Sequence, residues 1–580
     1  MPMTSLLSTP RQPLRAFVLA LLASGLTCGV STQAQAQSVA AAAPAPNAGD
    51  VLRDLPAPKP TLPTLSDTPA APGQAAATPV VSQRFTFNRL VVEGVTALAP
   101  FQVQLVADPF VNKPMGEDEL AALLQALRRR LDLAGMSLAG IGIPSLDMVA
   151  GVVTVPVVEP RLGHISVPQG ADNPVTEARV KGLMSWFNLG EGRTLDIDAL
   201  ERVMFALNDM PGVQAKAKLT PSGDEGIYNL SITSTARRAW DAAVSLDNQG
   251  LGPIGRWRLG ASARLNNPFG IGDNLDVQAL STNTRGVKLG RVAYELPVGY
   301  TPVRMAVAAS RVAYKLGGEF DELGASGSAN VFEGSLSYPL LRARSRTLLA
   351  RVGIDDKHFA DRIDFDDSDG RRRIRTAVLS LSWESRDTFG GGGYWGAGFT
   401  QRFGHLKLGT DAQIAQDASL GEQGVAGRFA KRELQLSRLQ NLGADFSLFA
   451  SVSNQSASRN LDGAEKVGLG GTKGVRAYAA SESPSDDATI VNTELRYWVN
   501  PSWTVFALSD WARGRLQHEP AVTSTTPNTV SLRGSGLGLS ASIPEWANVR
   551  ATLAWRGNQA GTAESTDRKP RLALQAQHSF

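Results

Sequence analysis

The chain has 580 residues and a formal net charge of +4, with 43% hydrophobic and 19% charged residues, 57 glycines, 33 prolines and one cysteine. That length exceeds one small domain. The 58 basic and 54 acidic residues are interspersed, so no block of one sign stands out as a nucleic-acid footprint.

Residues 1–36 read as a secretory signal peptide. Arg11 and Arg15 form a basic start, Ala16 to Val30 is an apolar run, and Ala34-Gln35-Ala36 offers a small-x-small cleavage site. The run is about 15 residues, short of the roughly 20 that a spanning helix needs. Cys28 lies inside it, so a mature chain beginning near Gln37 carries no cysteine, which excludes disulfides and thiol catalysis. Beyond it no stretch approaches 18 consecutive apolar residues, so a membrane protein here has to be a barrel.

Residues 37–83 form a Pro/Ala-rich linker, with nine prolines between Pro44 and Pro79. Asn47 to Leu55 is the exception. It lacks proline and has room for about two helical turns, with Val51, Leu52 and Leu55 on one side.

A compact α+β pattern follows and occurs twice, over 84–159 and 160–236. In the first copy Phe85 to Val92 reads as a strand. Gly116 to Leu133 reads as an amphipathic helix, with Leu120, Leu123, Leu124, Leu127 and Leu131 on one stripe and Gly135 as its stop. Strand-like segments surround Ser137 to Ile143 and Val149 to Val158. The second copy has a strand over Arg161 to Val167, helices near Pro174 to Phe187 and Asp196 to Asp209, and strands at Val213 to Leu219 and Gly226 to Thr233. Each unit spans about 75 residues in the order strand, helix, helix, strand, strand.

From Trp240 the helical period gives way to period two. Trp240, Ala242, Val244 and Leu246 alternate with Asp241, Ala243, Ser245 and Asp247. Trp257, Leu259, Ala261, Ala263 and Leu265 oppose Arg256, Arg258, Gly260, Ser262 and Arg264. The same split recurs at Ala377, Leu379, Leu381 and Trp383, and at Val549, Ala551, Leu553 and Trp555. Strands of about ten residues, apolar on one face and charged on the other, fit lipid outside and a wet lumen inside better than a soluble sandwich does. Residues 239–580 are therefore read as an outer-membrane β-barrel, and at roughly 20 residues per strand and connection they supply about 16 antiparallel strands. The last strand ends in Leu572, Leu574, Ala576, His578 and Phe580 on one face. Phe580 is the terminal aromatic that bacterial barrels present to their assembly machinery.

Little here suggests chemistry on a substrate. His164, His358, His405, His518 and His578 are far apart and none has a metal-ligand spacing. The glycine cluster from Gly468 to Gly474 lacks the lysine followed by serine or threonine of a phosphate loop. Asp364, Asp366, Asp367 and Asp369 read as a solvated or weakly cation-binding loop, and no serine lies in a nucleophile elbow. The expectation is no catalytic residue, no metal, no cofactor and no nucleic-acid partner.

Several motifs in order resemble one family. Leu207-Asn208-Asp209-Met210-Pro211-Gly212-Val213 closes the second unit, and Asp247-Asn248-Gln249-Gly250 and Asn266-Asn267-Pro268-Phe269-Gly270 flank the first hairpin. Tyr338-Pro339-Leu340, Leu469-Gly470-Gly471 and Gly474-Val475-Arg476-Ala477-Tyr478 come later. Together they resemble the outer-membrane transporters of two-partner secretion (TpsB), the ShlB/FhaC/HecB haemolysin secretion/activation family. The likeness runs over the chain from Phe85 onward.

That resemblance implies a short plug helix in the linker, two polypeptide-transport-associated (POTRA) domains in the periplasm and a 16-stranded barrel in the outer membrane of a Gram-negative bacterium. It implies export of one large partner protein with an N-terminal recognition domain, of adhesin or haemolysin type, without a cofactor. It further implies that Arg476, at the tip of a loop folded into the lumen, meets an acidic residue on the wall. Asp510 is the candidate because Phe506, Leu508 and Asp510 share a strand face. Ala477 stands where the family often has glycine, which restricts the loop tip at positive φ. Alternatives are an assembly factor that inserts other barrels, which usually has more POTRA domains, a passive porin, which needs none, and an outer-membrane enzyme.

Overall fold

The computed structural model describes residues 45–55, 84–96, 98–168, 173–480, 482–521, 527–544, 546–557 and 570–580. The signal-peptide expectation and most of the linker lie outside the described residues. Helix α1 (Ala48–Asp54) is the short linker segment, capped by Asn47, whose side chain accepts from the Gly49 and Asp50 amides.

The first unit contains β1 (Phe85–Phe87), β2 (Arg89–Glu93), α2 (Pro100–Ala107), β3 (Lys113–Met115), α3 (Glu117–Leu133), β4 (Gly140–Ile141), β5 (Ser145–Asp147) and β6 (Val152–Val158). The single strand expected over Phe85 to Val92 is broken at Asn88, because β1 pairs with β3 while β2 runs parallel to β6. Asn88 is the corner: its amide donates to the Gly151 carbonyl at 2.7 Å and its side chain to Ala150 at 2.9 Å. Helix α2 had no sequence signal. Phe101 and Leu105 are exposed while Val106 and Ala107 are buried, so its apolar residues go round the helix and make no stripe. Helix α3 begins where the Gly116 amide donates to Glu119 at 2.8 Å, which holds that carboxyl below its usual range, and it buries the five predicted leucines. Gly135 at φ +76 ends it. The expected strand over Ser137 to Ile143 shrinks to the two residues of β4.

The second unit is β7 (Arg161–Ser166), α4 (Glu177–Trp186), α5 (Ile197–Asn208), β8 (Val213–Pro221) and β9 (Ile227–Ala236). Its sheet has the order β7-β9-β8, and Leu162, Val180, Leu183, Val203, Leu207 and Leu230 form its core.

The rest is one closed antiparallel barrel of sixteen strands. The first eight are β10 (Trp240–Asp247), β11 (Arg258–Asn266), β12 (Asn274–Thr282), β13 (Val287–Pro297), β14 (Arg304–Lys315), β15 (Ser326–Arg342), β16 (Arg346–Ile363) and β17 (Ser368–Asp387). The last eight are β18 (Gly393–Leu408), β19 (Gly427–Asn441), β20 (Phe446–Ala457), β21 (Asp487–Asn500), β22 (Trp503–Arg515), β23 (Thr529–Ile543), β24 (Ala547–Arg556) and β25 (Arg571–Ser579). Between β18 and β19 lies α6 (Asp411–Ser419). Closure is made by β10 against β25, with Ala243 opposite Ser579 and Asp247 opposite Gln575. The alternation read from the sequence is the outer wall: Val244, Leu246, Leu259, Leu379, Leu381 and Trp555 are exposed, as is Phe580. Strands are longer than the expected ten or so residues on one side, reaching 20 in β17. Their far ends continue past the apolar band into charged sequence.

The second unit packs on the barrel turns at one end, here called proximal. Asp209 takes a two-pronged contact from Arg342, with Nε and Nη2 each 3.0 Å from a carboxylate oxygen, and the guanidinium lies 4.5 Å from the Phe205 ring. Arg344 pairs with Glu201, and Arg179 donates to the Gly299 carbonyl at 3.2 Å beside Tyr300. The rest of the Leu207 to Gly212 motif is structural. Leu207 is buried in the core, and Asn208 bonds both the amide (2.9 Å) and the carbonyl (3.1 Å) of Ala215, which ties α5 to β8. Pro211 and Gly212, at φ +70, turn the chain into β8. The loop carboxylates are all exposed: Asp364, Asp367 and Asp369 surround Arg362, and Asp366 caps the Ser368 amide.

Burial pushes the Asp209 carboxyl pKa up by more than Arg342 pulls it down. Removing the arginine therefore strands a desolvated acid, whereas amidation of the acid does not. Arg342→Ala should loosen the docking by about 2 kcal/mol and Asp209→Asn by less. Tryptic cleavage at Arg237 and Arg238, in the junction between unit and barrel, reports this: a roughly tenfold faster cut is expected in the first variant, and equal rates in both variants and the parent would show that the pair does not hold the joint.

Candidate functional site: the occluded lumen

A sixteen-strand barrel is too wide for wall side chains to fill. Two other segments occupy this lumen, so the interior expected from alternation is in large part filled by main chain. Helix α1 buries Ala48, Val51 and Leu55 against Val287, Val312, Tyr314, Ala329, Phe359, Ile374 and Leu406 of the inner wall. Its polar ends are held by charge. The Ala48 amide donates to Asp361 at 2.7 Å, and Arg372 reaches Asn47 (2.6 Å), Asp361 (2.6 Å) and Asp462 (2.9 Å). Arg53 donates to the Gly463 carbonyl at 3.0 Å.

Asp462 and Gly463 belong to the second filler, the segment 458–486 between β20 and β21, which folds back into the barrel. Near its base Glu465 is 1% exposed and pairs with Lys357 at 2.6 Å and Lys431 at 3.0 Å. Further in, the Val475 amide donates to the Leu469 carbonyl and the Gly471 amide to Tyr478, which closes a tight tip. Gly474 is needed there for close approach, since a Cβ would sit 2.2 Å from the Leu469 oxygen. Leu469, Val475, Ala477 and Tyr478 then bury against Ala488, Ile490, Ala512, Leu532 and Ala554.

The structure brings Arg476 and Asp510 together. The Arg476 amide and Nε donate to Asp510 Oδ2 at 3.0 and 2.9 Å, and Nη2 donates to Oδ1 at 2.7 Å. Nη1, on the other side of the guanidinium, donates to Glu494. Asn492 spans the same corner, donating to Asp510 Oδ1 and to the Gly474 carbonyl, both at 2.8 Å. Glu494 also takes Arg496 (2.8 Å) and Arg550 (2.5 Å), so three guanidiniums surround two buried carboxylates. Arg550 lies 4.2 Å from the Phe506 ring, and Arg556 donates to the Ala477 carbonyl at 3.2 Å. A planar fork uses both edges at once here, a geometry that lysine lacks.

Phe506, Leu508 and Asp510 are all buried on the inner face, where alternation alone would have put the two apolar residues outside. Ala477 is absent from the positive-φ residues, so the position does not demand glycine's freedom. Its methyl instead meets Gly534 on the wall, where a Cβ would lie 3.0 Å from it and 2.9 Å from Val475. Glu494, Asn492, Arg496 and Arg550 were missed. They are polar residues of even number on β21 and β24, and only register sets Asn492 opposite Asp510.

Below these fillers the proximal lumen stays open. A cavity of about 1270 Å³ is lined by Phe205 and Asp209 of the second unit and by Arg264, Arg291, Ser337 and Arg351 of the wall. It runs without a break from the second unit into the barrel.

A family model described as haemolysin secretion/activation protein ShlB/FhaC/HecB matches residues 226–541, and one for the ShlB-type POTRA domain matches 85–160. The heme/hemopexin transporter protein HuxB of Haemophilus influenzae (strain 86-028NP) is 28% identical over 348 residues, 59% of this chain and 61% of that protein. The chain thus spans about three-fifths of the length of that relative. The outer membrane transporter CdiB of Dickeya dadantii is 23% identical over 70% of this chain and 71% of its own. In fold, the structure of CdiB from Escherichia coli superposes with a TM-score of 0.67 at 20% identity, covering 92% of this chain and 95% of that one.

The packing of the tip against Gly534 can be tested without touching the ion pairs. Gly534→Val places atoms where Val475 and Ala477 stand, so the tip should be displaced and single-channel conductance in planar bilayers should rise severalfold. Arg476→Ala leaves the buried Asp510 without its cationic partner, while Glu494 keeps Arg496 and Arg550, and should cost about 3–5 kcal/mol of local stability. Its folded barrel should lose the loop's hydrogen-exchange protection, and protection equal to the parent's would show that the arginine does not anchor the tip.

Proposed function

Because this chain belongs to the ShlB/FhaC/HecB haemolysin secretion/activation family, we propose that it carries one large partner protein across the outer membrane through its barrel. The family is one of transporters, and the barrel lies in the outer membrane with the POTRA domain in the periplasm. The proximal end, where the α/β units dock, is accordingly the periplasmic mouth. The observation that supports export most directly is the pair of separate segments filling the lumen. Each is held in the lumen mainly by side-chain contacts, the loop bonding the sheet backbone at its two ends through the Ser458 and Asp486 amides, so either can leave while the wall stays closed.

In this reading the two α/β units capture the N-terminal recognition domain of the partner in extended form. Among the described residues β8 has β9 as its one strand partner, which leaves an edge beyond Ala215, whose amide and carbonyl Asn208 already takes, for β-augmentation by an unfolded chain. The open cavity beside Phe205 and Asp209 receives the extended client. Folding of the passenger outside biases the direction, so no cofactor enters the cycle and no catalytic residue is assigned.

Arg476, Asp510 and Glu494 act as the lock that returns the inward loop to one position after each passage. Gly474, Val475, Ala477 and Tyr478 shape the tip that fits it. Phe580, whose amide donates to the Ala242 carbonyl at 2.9 Å at the seam, is the mark read by the barrel assembly machinery during biogenesis.

Arg476→Ala and Asp510→Ala should each lower partner secretion roughly tenfold at matched surface levels of folded barrel. Unchanged export in both variants would remove the lock from the mechanism. Deleting the gene should stop release of one large exoprotein and leave other barrels at normal abundance, whereas depletion of many barrels would assign the chain to assembly instead.

A further inference from the structure

The run Arg371-Arg372-Arg373-Ile374-Arg375 is split by the pleat of β17. Arg372 and Ile374 are buried inside the lumen. Arg371, Arg373 and Arg375 share the opposite, outer face with Ala377, Leu379 and Leu381 of the lipid band. Neighbouring strands continue the pattern in register. Ile354, Ala377, Phe403 and Ala430 form one outer row across β16 to β19. Two residues farther along, the row becomes Asp356, Arg375, His405 and Arg428, and the next is His358, Arg373 and Lys407. The apolar wall, with Ile354 67% and Phe403 53% exposed, thus gives way to cations within about 7 Å along the strand.

Counter-charge is scarce there. Asp356 serves Arg373 at 2.7 Å and Arg375 at 3.4 Å, and also His358 at 3.1 Å. The acids of the nearby loop are taken by Arg362. Arg371, Lys407 and Arg428 form no ion pair among the described residues. Beside Arg428 the small side chains of Ala430 and Ser458 leave an open recess of about 440 Å³, walled by Arg375, His405, Arg428 and Phe403, with Lys407 one outer row farther along the strand. A site that is apolar on its lipid side and cationic just above it complements one kind of molecule in this setting.

We infer that this recess binds the phosphorylated headgroup of an outer-leaflet glycolipid, with an acyl chain laid over Phe403. Guanidiniums match phosphate oxygens in bidentate geometry, and basic residues at a membrane surface gather anionic lipid. The inference rests on the outer-membrane placement and is independent of export.

The test uses the full chain in neutral detergent, stripped of bound lipid and followed by native mass spectrometry. The probes are bis-phosphorylated lipid A, the same glycolipid after phosphatase treatment, and inorganic phosphate. The bis-phosphorylated lipid should bind, and loss of its phosphates should weaken binding roughly tenfold or more. The variant Arg375→Gln/Lys407→Gln/Arg428→Gln should lose a similar factor, while Arg438→Gln, on the periplasmic end of the outer wall, should lose none. Should the triple variant not fold, Arg428→Gln alone and the phosphate dependence of the parent decide the matter. Equal binding of the dephosphorylated lipid, a folded triple variant (or Arg428→Gln alone) that binds like the parent, or full competition by inorganic phosphate would each overturn the assignment.

Discussion

An open sheet edge in hydrocarbon leaves amides and carbonyls that nothing can satisfy, so the wall has to close on itself. Here closure is the pairing of β10 with β25, two strands more than 300 residues apart in sequence. Sixteen strands then fix a lumen wider than their own side chains can fill. Almost every other feature answers that single geometric consequence.

What fills the space is main chain, and main chain carries polar groups into a confined interior. Helix α1 satisfies its later amides internally and hands the amides of its first turn to Asn47 and Asp361. The inward loop cannot do this with internal bonds alone, and its fixings are ionic: Glu465 with two lysines at the base and Arg476 with two carboxylates at the tip. Apolar packing of Leu469, Val475, Ala477 and Tyr478 on the wall supplies the rest, while Phe506 lies inward over Gly538 and beside the Arg550 guanidinium. Such fixings are strong while complete and are all lost once one partner leaves, since an unpaired buried charge is costly. In the proposed export cycle this keeps a filler in place at rest and lets it leave as a unit.

The same pleat that sorts lipid from lumen also sorts the arginines of β17. Arg372 joins the helix cap to the wall and to the loop base, while its neighbours on either side stand on the outer surface. One short basic run thus serves two compartments, and its meaning depends on parity alone. At the other end, Arg342 joins the barrel turn to Asp209, so the residues that close the second unit also set its place beneath the pore.

Much of this was legible along the chain. The change from period 3.6 to period 2 at Trp240, the leucine stripe of α3, the strand number from length and the proline-free helix at Asn47 all follow from local pattern, because side-chain direction repeats within one element. Arg476 and Asp510 were reachable through the family resemblance. Glu494, Asn492, Arg496 and Arg550 were not, and neither was the apolar inner face at Phe506 and Leu508. Alternation says that two faces differ but not which one meets lipid once a loop packs inside, and pairing between strands depends on a register that no single strand encodes. Those contacts exist only after the wall has closed and the loop has turned back into it.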